Sequence, residues 1–278
     1  MVGGRPENVN TMKWNELTFD EIGALDRDLP VVVPLGSCEQ HGRHLSLAVD
    51  TVQVSELARR LEASLGDRAL FVDALWLGCS HHHLDYPGTI SVGPMLYAQV
   101  IADVARSILR AGFRRIFFMN GHGGNELPGR TGLTDLVVSD ERADAATIAF
   151  ASWWSVGRDA LSPTAHGLTQ PEITHACEIE TSLMLAIRPD LVDLPKVRAS
   201  SPRFSAEAWH SERGGKVEVF HRFQRLTTHG HMGRPELATA EKGVSMLEAL
   251  VAEIGGFLLD FAGWPHLEAA SPGGGDRG

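Results

Sequence analysis

The sequence predicts an α/β protein with a layered, mostly parallel central sheet. Three observations predict it. Short β-branched or aromatic runs recur along the chain, segments with helical spacing separate them, and no Pro/Gly-rich linker breaks the series. Strands divided by helices pair in parallel, since a parallel partner is reached through a crossover.

The elements follow in order. TFDEIGALDRD reads as a short helix with Thr18 as its N-cap. VVVPLG is a buried strand. From Val52 to Leu65 the apolar residues Val52, Leu57, Leu61 and Leu65 keep helical spacing, and ALFVDALWLG is the next strand region. Pro94 to Ala111 is an amphipathic helix with proline suited to its first turn. RRIFFMN is a strand, LTDLVVSDERA a helix and AATIAFASWW a strand. A helical pattern resumes after His175 through ETSLMLAI. KVEVFHRF reads as β-like, and a long helix runs from about Thr239 to Leu259. The expected organisation is one domain over residues 14–263, flanked by flexible segments 1–13 and 264–278.

Composition narrows the function. The chain has 278 residues, 43% of them hydrophobic, enough for a large core. A formal net charge of −10 argues against nucleic acid or an anionic membrane, since both call for a basic face. No stretch approaches the ~18 apolar residues of a membrane span. MVGGRPENVNTMKW lacks the apolar core of a signal peptide. Three widely spaced cysteines, Cys38, Cys79 and Cys177, form no CxxC pair, so a disulfide framework is not expected. Cytoplasm is the expected compartment and a small molecule the expected substrate.

Four polar clusters carry the chemistry. GSCEQHGRHLSLAVD follows the first strand, and NGHGGN follows RRIFFM. Ligands in open α/β sheets bind beyond the carboxyl ends of strands, where both stretches lie. Glu39 and His41, two apart, share a side in an extended loop. With Asp50 and His122 they form a set of carboxylates and imidazoles without thiolates, which suits Zn²⁺, Mn²⁺ or Fe²⁺ at a hydrolytic site. Two such ions sharing Asp50 would activate water at neutral pH. The blander alternative is a polar loop and a turn histidine. NGHGGN also admits a phosphate cradle, but it lacks the Lys and Ser/Thr of a P-loop, and no GxSxG supports a serine hydrolase. In HACEIETS, His175, Glu178 and Ser182 would share a helix face, with His175 a ready proton shuttle. Its glutamates are also favoured at a helix N-terminus for dipole reasons alone. SHHHLDYPGT cannot turn all three histidines to one site; one of them, His83, and Tyr86 are expected to line the pocket.

EQHGRHLSLAVD, YPGTIS, NGHGGN, HACEIETSLMLAIRPDLVD and ATAEKG resemble, in this order, the motifs of the creatininase (creatinine amidohydrolase) family, over roughly residues 14–260. The resemblance implies a three-layer α/β/α sandwich, a binuclear metal centre and a homo-oligomer, often a hexamer. It implies that Glu39 and His122 hold one ion and His41 the other, with Asp50 bridging. Zinc is the expected metal, with manganese or iron as alternatives. In creatininase itself the last ligand is a Glu in NGHYEN; here Gly124 stands there. Relatives with NGHGGN carry a Glu in HAGEIETS, so Glu178 is expected to complete the second site, with Glu180 as the fallback and a catalytic candidate. His175 matches the family's active-site histidine, expected to protonate the leaving nitrogen. Gly123 stands where creatininase has Tyr, and a family tryptophan aligns near Pro171. Trp154 matches a pocket tryptophan, with Trp153 as the alternative. The implied activity is metal-dependent hydrolysis of an amide or cyclic amide C–N bond. Alternatives are a peptidase or deformylase in cofactor biosynthesis, a hydrolase or lyase acting on a non-amide ring, and an inert binding member. His44 is expected to support rather than ligate.

Overall fold

A computed structural model of the chain describes residues 11–170, 172–199, 217 and 219–266. Four strands, β1 (Val31–Leu35), β2 (Leu70–Phe71), β3 (Arg115–Asn120) and β4 (Thr147–Ser152), form one sheet in the order β2-β1-β3-β4 with every pair parallel. The helices are α1 (Phe19–Ala24), α2 (Val49–Leu65), α3 (Pro94–Arg110), α4 (Glu126–Ser139), α5 (Trp153–Val156), α6 (Pro163–His166), α7 (Glu178–Ile187) and α8 (Ala240–Ala262).

Alternation along the strands splits the core in two. Val32, Phe117 and Met119 face α2, α7 and α8, packing with Leu57, Leu183, Leu250 and Ile254. Val31, Val33, Ile116 and Phe118 face α3 and α4, packing with Tyr97, Ile101, Leu133 and Leu136. A sheet covered on both faces is the three-layer sandwich expected, and it explains why β1 and β3 are buried along their whole length. The register sets Leu35 of β1 opposite Asn120 of β3, and Asn120 opposite Ser152 of β4. Three loops therefore leave one edge of the sheet at the same level.

Local chemistry accounts for the boundaries. Thr18 and Glu21 form a reciprocal capping box at α1. The strand expected over ALFVDALWLG shrinks to two residues because Pro34 has no N–H for the next rung. The ladder opens after the Val72 N–H donates to Val32, and resumes only as Leu75 bonds Pro34 and Gly36. The helix read from LTDLVVSDERA starts earlier, at Glu126, since Pro128 sits in its first turn, where a missing N–H costs nothing; beyond Ser139 it becomes a 3-10 turn. Of the KVEVFHRF segment, Lys216 and Glu218 lie outside the described residues. The described remainder carries no strand, and Phe223–Arg225 is a 3-10 turn.

Described residues within the segments expected to be flexible, 11–13 and 264–266, contact the body of the protein. Met12 is buried in the core and its N–H donates to the Glu62 carboxylate. At the other end Arg115 donates to the Trp264 carbonyl, and His266 pairs with Asp28. Residues 1–10 and 267–278 lie outside the described residues. No helix among the described residues is long and apolar enough to cross a membrane, and all three cysteines are free thiols.

The α7–α8 contact fixes the helix that carries the acidic part of the site. A Cβ on Gly243 of α8 would stand 1.9 Å from the Ser182 carbonyl oxygen of α7. Gly243→Ala should destabilise the protein by about 1–3 kcal/mol through overpacking, measured by urea unfolding; an unchanged midpoint would contradict the close approach.

Candidate metal centre

The site assembles where the three level strand ends release their loops. After β1, the Glu39 N–H donates to the Leu47 carbonyl at 3.0 Å, and Gly42 takes a left-handed φ of 69°. The loop therefore folds back on itself and delivers Asp50 to the first turn of α2, where the helix dipole favours a carboxylate. After β3, the asparagines of NGHGGN act as staples. Asn120 donates to the His122 carbonyl at 2.7 Å, while Asn125 accepts from the Cys79 N–H and donates to the Gly36 carbonyl. The third contribution is a loop leading into α7. Ala176 holds a φ of 52°, rare for a side-chain-bearing residue, and its N–H bonds the Glu180 carboxylate. That bend sets His175 ahead of the helix, not on the shared helical face read from HACEIETS.

Glu39, His41, Asp50, His122 and Glu180 are all buried and converge. Asp50 lies between the two histidines, Oδ1 at 3.1 Å from His41 Nε2 and Oδ2 at 3.1 Å from His122 Nδ1. Its Oδ2 also accepts from Ser37 Oγ at 2.6 Å. Glu39 Oε2 is 3.3 Å from His122 Nε2, and Glu180 Oε1 is 3.9 Å from His41 Nε2. Three groups bring ligand atoms within 4.8 Å of one another: Glu39, His82 and His122; Glu39, His41 and His175; and His41, Asp50 and Glu180.

Charge is the telling feature. Three buried carboxylates meet here, and among the described residues they pair with histidines and with no lysine or arginine. Burial alone would push the imidazoles toward neutrality. At His41 the carboxylates of Asp50, Glu180 and Glu39 overcome it and raise the ring to about 9. The Asp50 carboxyl, which burial would raise, is instead held low by His41 and His122. Burial pushes Glu180 up to about 7. Such a set attracts positive charge. His41 Nδ1 lies 3.3 Å from the Glu39 carbonyl oxygen, so Nε2 is the nitrogen turned toward the Asp50 and Glu180 carboxylates. Glu39 Oε2 and His41 Nε2 are buried without a hydrogen-bond partner. Unpartnered buried oxygen and nitrogen acceptors fit divalent cations held by carboxylates and imidazoles.

The geometry reverses the order expected between the two glutamates of α7. Glu178 turns away from the cluster. Its Oε1 takes Lys242 Nζ at 2.6 Å, and its Oε2 accepts from the Thr169 N–H and hydroxyl. Two residues on, about 200° around the helix, Glu180 faces His41. His44 stays outside the three groups and bonds Thr181 Oγ1 at 3.0 Å, bracing α7.

A cavity of about 230 Å³ opens on this cluster, walled by His82, His83, Gly123, Gly124, Trp154, Ile173, Thr174, His175 and Phe223. His83, Gly123 and Trp154 are among the residues that line it, whereas Trp153 is packed in the core. Tyr86 does not line it. It follows the turn after His83 and its N–H bonds the His83 carbonyl. His82 does line it, contrary to the reading of SHHHLDYPGT, with its ring beside that of His83 at 4.2 Å between centroids. Phe223, Ile173 and Thr174 came without any local signal, and Pro171 lies outside the described residues. A second cavity of about 860 Å³ shares Trp154 and Ile173 with the first.

A parallel α/β sheet with a buried carboxylate–imidazole cluster beyond its strand ends defines the class of α/β enzymes with metal-type sites. Residues 15–258 match the family described as creatininase (creatinine amidohydrolase), and the chain belongs to it. It is 31% identical to the creatinine amidohydrolase of Pseudomonas putida over 66% of this chain and 74% of that one. It is also 31% identical to the mycofactocin precursor peptide peptidase of Mycobacterium tuberculosis (strain ATCC 25618 / H37Rv), over 80% and 81%. A crystal structure of creatininase superposes with a TM-score of 0.77 at 28% identity, covering 91% of this chain and 99% of that one. Similar solved forms include a mutant creatininase of Zn–Zn type and a creatininase with Mn, at TM-scores of 0.77 and 0.76.

The two glutamates should separate cleanly by substitution. Glu180→Gln should lower bound metal, counted by plasma mass spectrometry, with the fold intact. Glu178→Gln should keep the metal and cost up to about 3 kcal/mol of stability by stranding Lys242. The opposite pattern would return the ligand role to Glu178.

Proposed function

We propose that the chain is a metal-dependent hydrolase that cleaves an amide or cyclic amide C–N bond of a small molecule. Glu39, Asp50 and His122 would hold one divalent cation, and His41, Asp50 and Glu180 a second. The observation that carries this reading is the convergence of three buried carboxylates with no described lysine or arginine to balance them. Two cations there would supply Lewis acidity and lower the pKa of water toward neutrality.

The chain's own residues do the rest. His175 Nε2 lies 2.7 Å from the Gln40 carbonyl oxygen and 3.0 Å from the Gln40 side-chain nitrogen, and Nδ1 lies 3.6 Å from Glu39 Oε1. Burial, reinforced by the charge on His41, holds this imidazole well below its usual range, so it is neutral at pH 7. The neutral imidazole can take a proton from attacking water and return it to the leaving nitrogen. The Gln40 side-chain amide accepts from the Gly42 N–H and donates to His83 Nδ1 at 2.9 Å. That contact turns the His83 Nε2–H toward Glu39, 3.5 Å away, and orients the carboxylate. Trp154, Ile173 and Phe223 give the cavity apolar walls that exclude bulk water.

A peptide substrate is the second reading. A Cβ on Gly123 would meet nothing within 4 Å, so the position where creatininase carries a tyrosine is open space. The larger cavity past Trp154 gives room for a longer chain, and the mycobacterial relatives are described as peptidases.

The test is amine release from cyclic amides and short peptides by protein stripped with a chelator and resupplied with Zn²⁺ or Mn²⁺. Hydrolysis should vanish on stripping and return with metal, and His175→Gln should slow it by roughly 10²–10⁴-fold with metal content unchanged. Hydrolysis indifferent to the chelator would overturn the reading. Solvent-proton exchange into a carbon acid without hydrolysis would point to a lyase or isomerase instead.

A further inference from the structure

The three consecutive histidines exceed what the mechanism above uses. They form a single 3-10 turn, His81–His83, in which the His82 and His83 rings lie side by side with centroids 4.2 Å apart. His81 leaves the cavity and bonds Ser91 Oγ at 2.7 Å. His83 is engaged by Gln40 and faces Glu39. His82 lies over His122, the two rings nearly parallel at 8° with centroids 5.7 Å apart. Phe223 approaches it to 6.4 Å. Its ring nitrogen joins the Glu39 and His122 ligand atoms within a 4.8 Å span, which small side-chain movements close onto one cation with bonds of ~2.0–2.2 Å.

Gly124 makes this arrangement possible. A Cβ there would stand 2.8 Å from His82 Cε1, 2.5 Å from His122 Nε2 and 2.3 Å from the Cys79 carbonyl oxygen. A side chain at 124 would press on the Cys79 carbonyl and on His122 as well as on the observed His82 ring.

We propose that His82 is a protein ligand to the cation held by Glu39 and His122, occupying space that a side chain at Gly124 would take. This rests on the metal-centre reading above. It makes the two positions chemically unequal. The first becomes a two-histidine, carboxylate-bearing set, the kind that suits Zn²⁺ or Fe²⁺, while His41 and Glu180 with Asp50 form an oxygen-rich set that accepts Mn²⁺ readily.

The experiment is zinc titration against a chromophoric chelator for wild type, His82→Gln, Gly124→Ala and His81→Gln, with zinc-edge absorption fine structure on the wild type. One of two equivalents should weaken by roughly 10–100-fold or more in His82→Gln. The same equivalent should weaken in Gly124→Ala, whose methyl presses on His122 as well as His82 and so tests the crowding of the position only, and His81→Gln should match wild type. The wild-type spectrum should need three imidazoles shared over two zinc ions. Two equivalents bound by His82→Gln with wild-type affinity, or a spectrum satisfied by two imidazoles, would overturn this proposal and leave the metal centre standing. A wild type that binds no zinc would overturn both. The spectrum needs no variant, so a misfolded His82→Gln still leaves a decisive measurement.

Discussion

Three carboxylates, Glu39, Asp50 and Glu180, are held out of water at one edge of the sheet, within reach of the His41, His82, His122 and His175 imidazoles. Burying one unpaired carboxylate is expensive, and burying three side by side adds their mutual repulsion. Much of the surrounding structure serves to keep them there. The folded-back loop after β1 fixes Glu39 and Asp50, the NGHGGN asparagines tie β3 to β1, and the bend at Ala176 clamps Glu180. The raised proton affinity of His41 has the same origin: without a metal ion, a proton is the cation these carboxylates gather.

The support reaches far from the chemistry. Lys242 on α8 anchors Glu178, Thr169 bonds the same carboxylate, and Gln170 accepts the Glu178 N–H at 3.1 Å. These contacts fix the rotation of α7 and the entry of the loop bearing His175. Gly243 then lets α8 lie directly against α7. A carboxylate read from sequence as a ligand is thus part of the frame that aims its neighbour.

Much of this was legible in sequence, for identifiable reasons. Strands covered on both faces read as unbroken apolar runs, so β1 and β3 stood out, and EQH, Asp50 and NGH followed strand ends where α/β sheets place ligands. What stayed hidden depended on distant partners. Glu178 and Glu180 look equivalent within HACEIETS, and only Lys242, 64 residues away, decides which one faces inward. His82 depends on how tightly a three-residue turn winds, and Phe223 arrives from a segment whose local pattern read as β. β2 was overread because the proline that ends its ladder sits in β1, not in β2.

Anomalous diffraction at the zinc edge, from crystals grown with Zn²⁺, would locate the cations among these carboxylates. Two peaks are expected about 3.5–4 Å apart, the distance typical of two-metal sites, one beside Glu39 and His122, the other beside His41 and Glu180, with Asp50 between them. No peak at this cluster, or a single peak that leaves Glu180 or Glu39 without a cation, would contradict the two-cation reading.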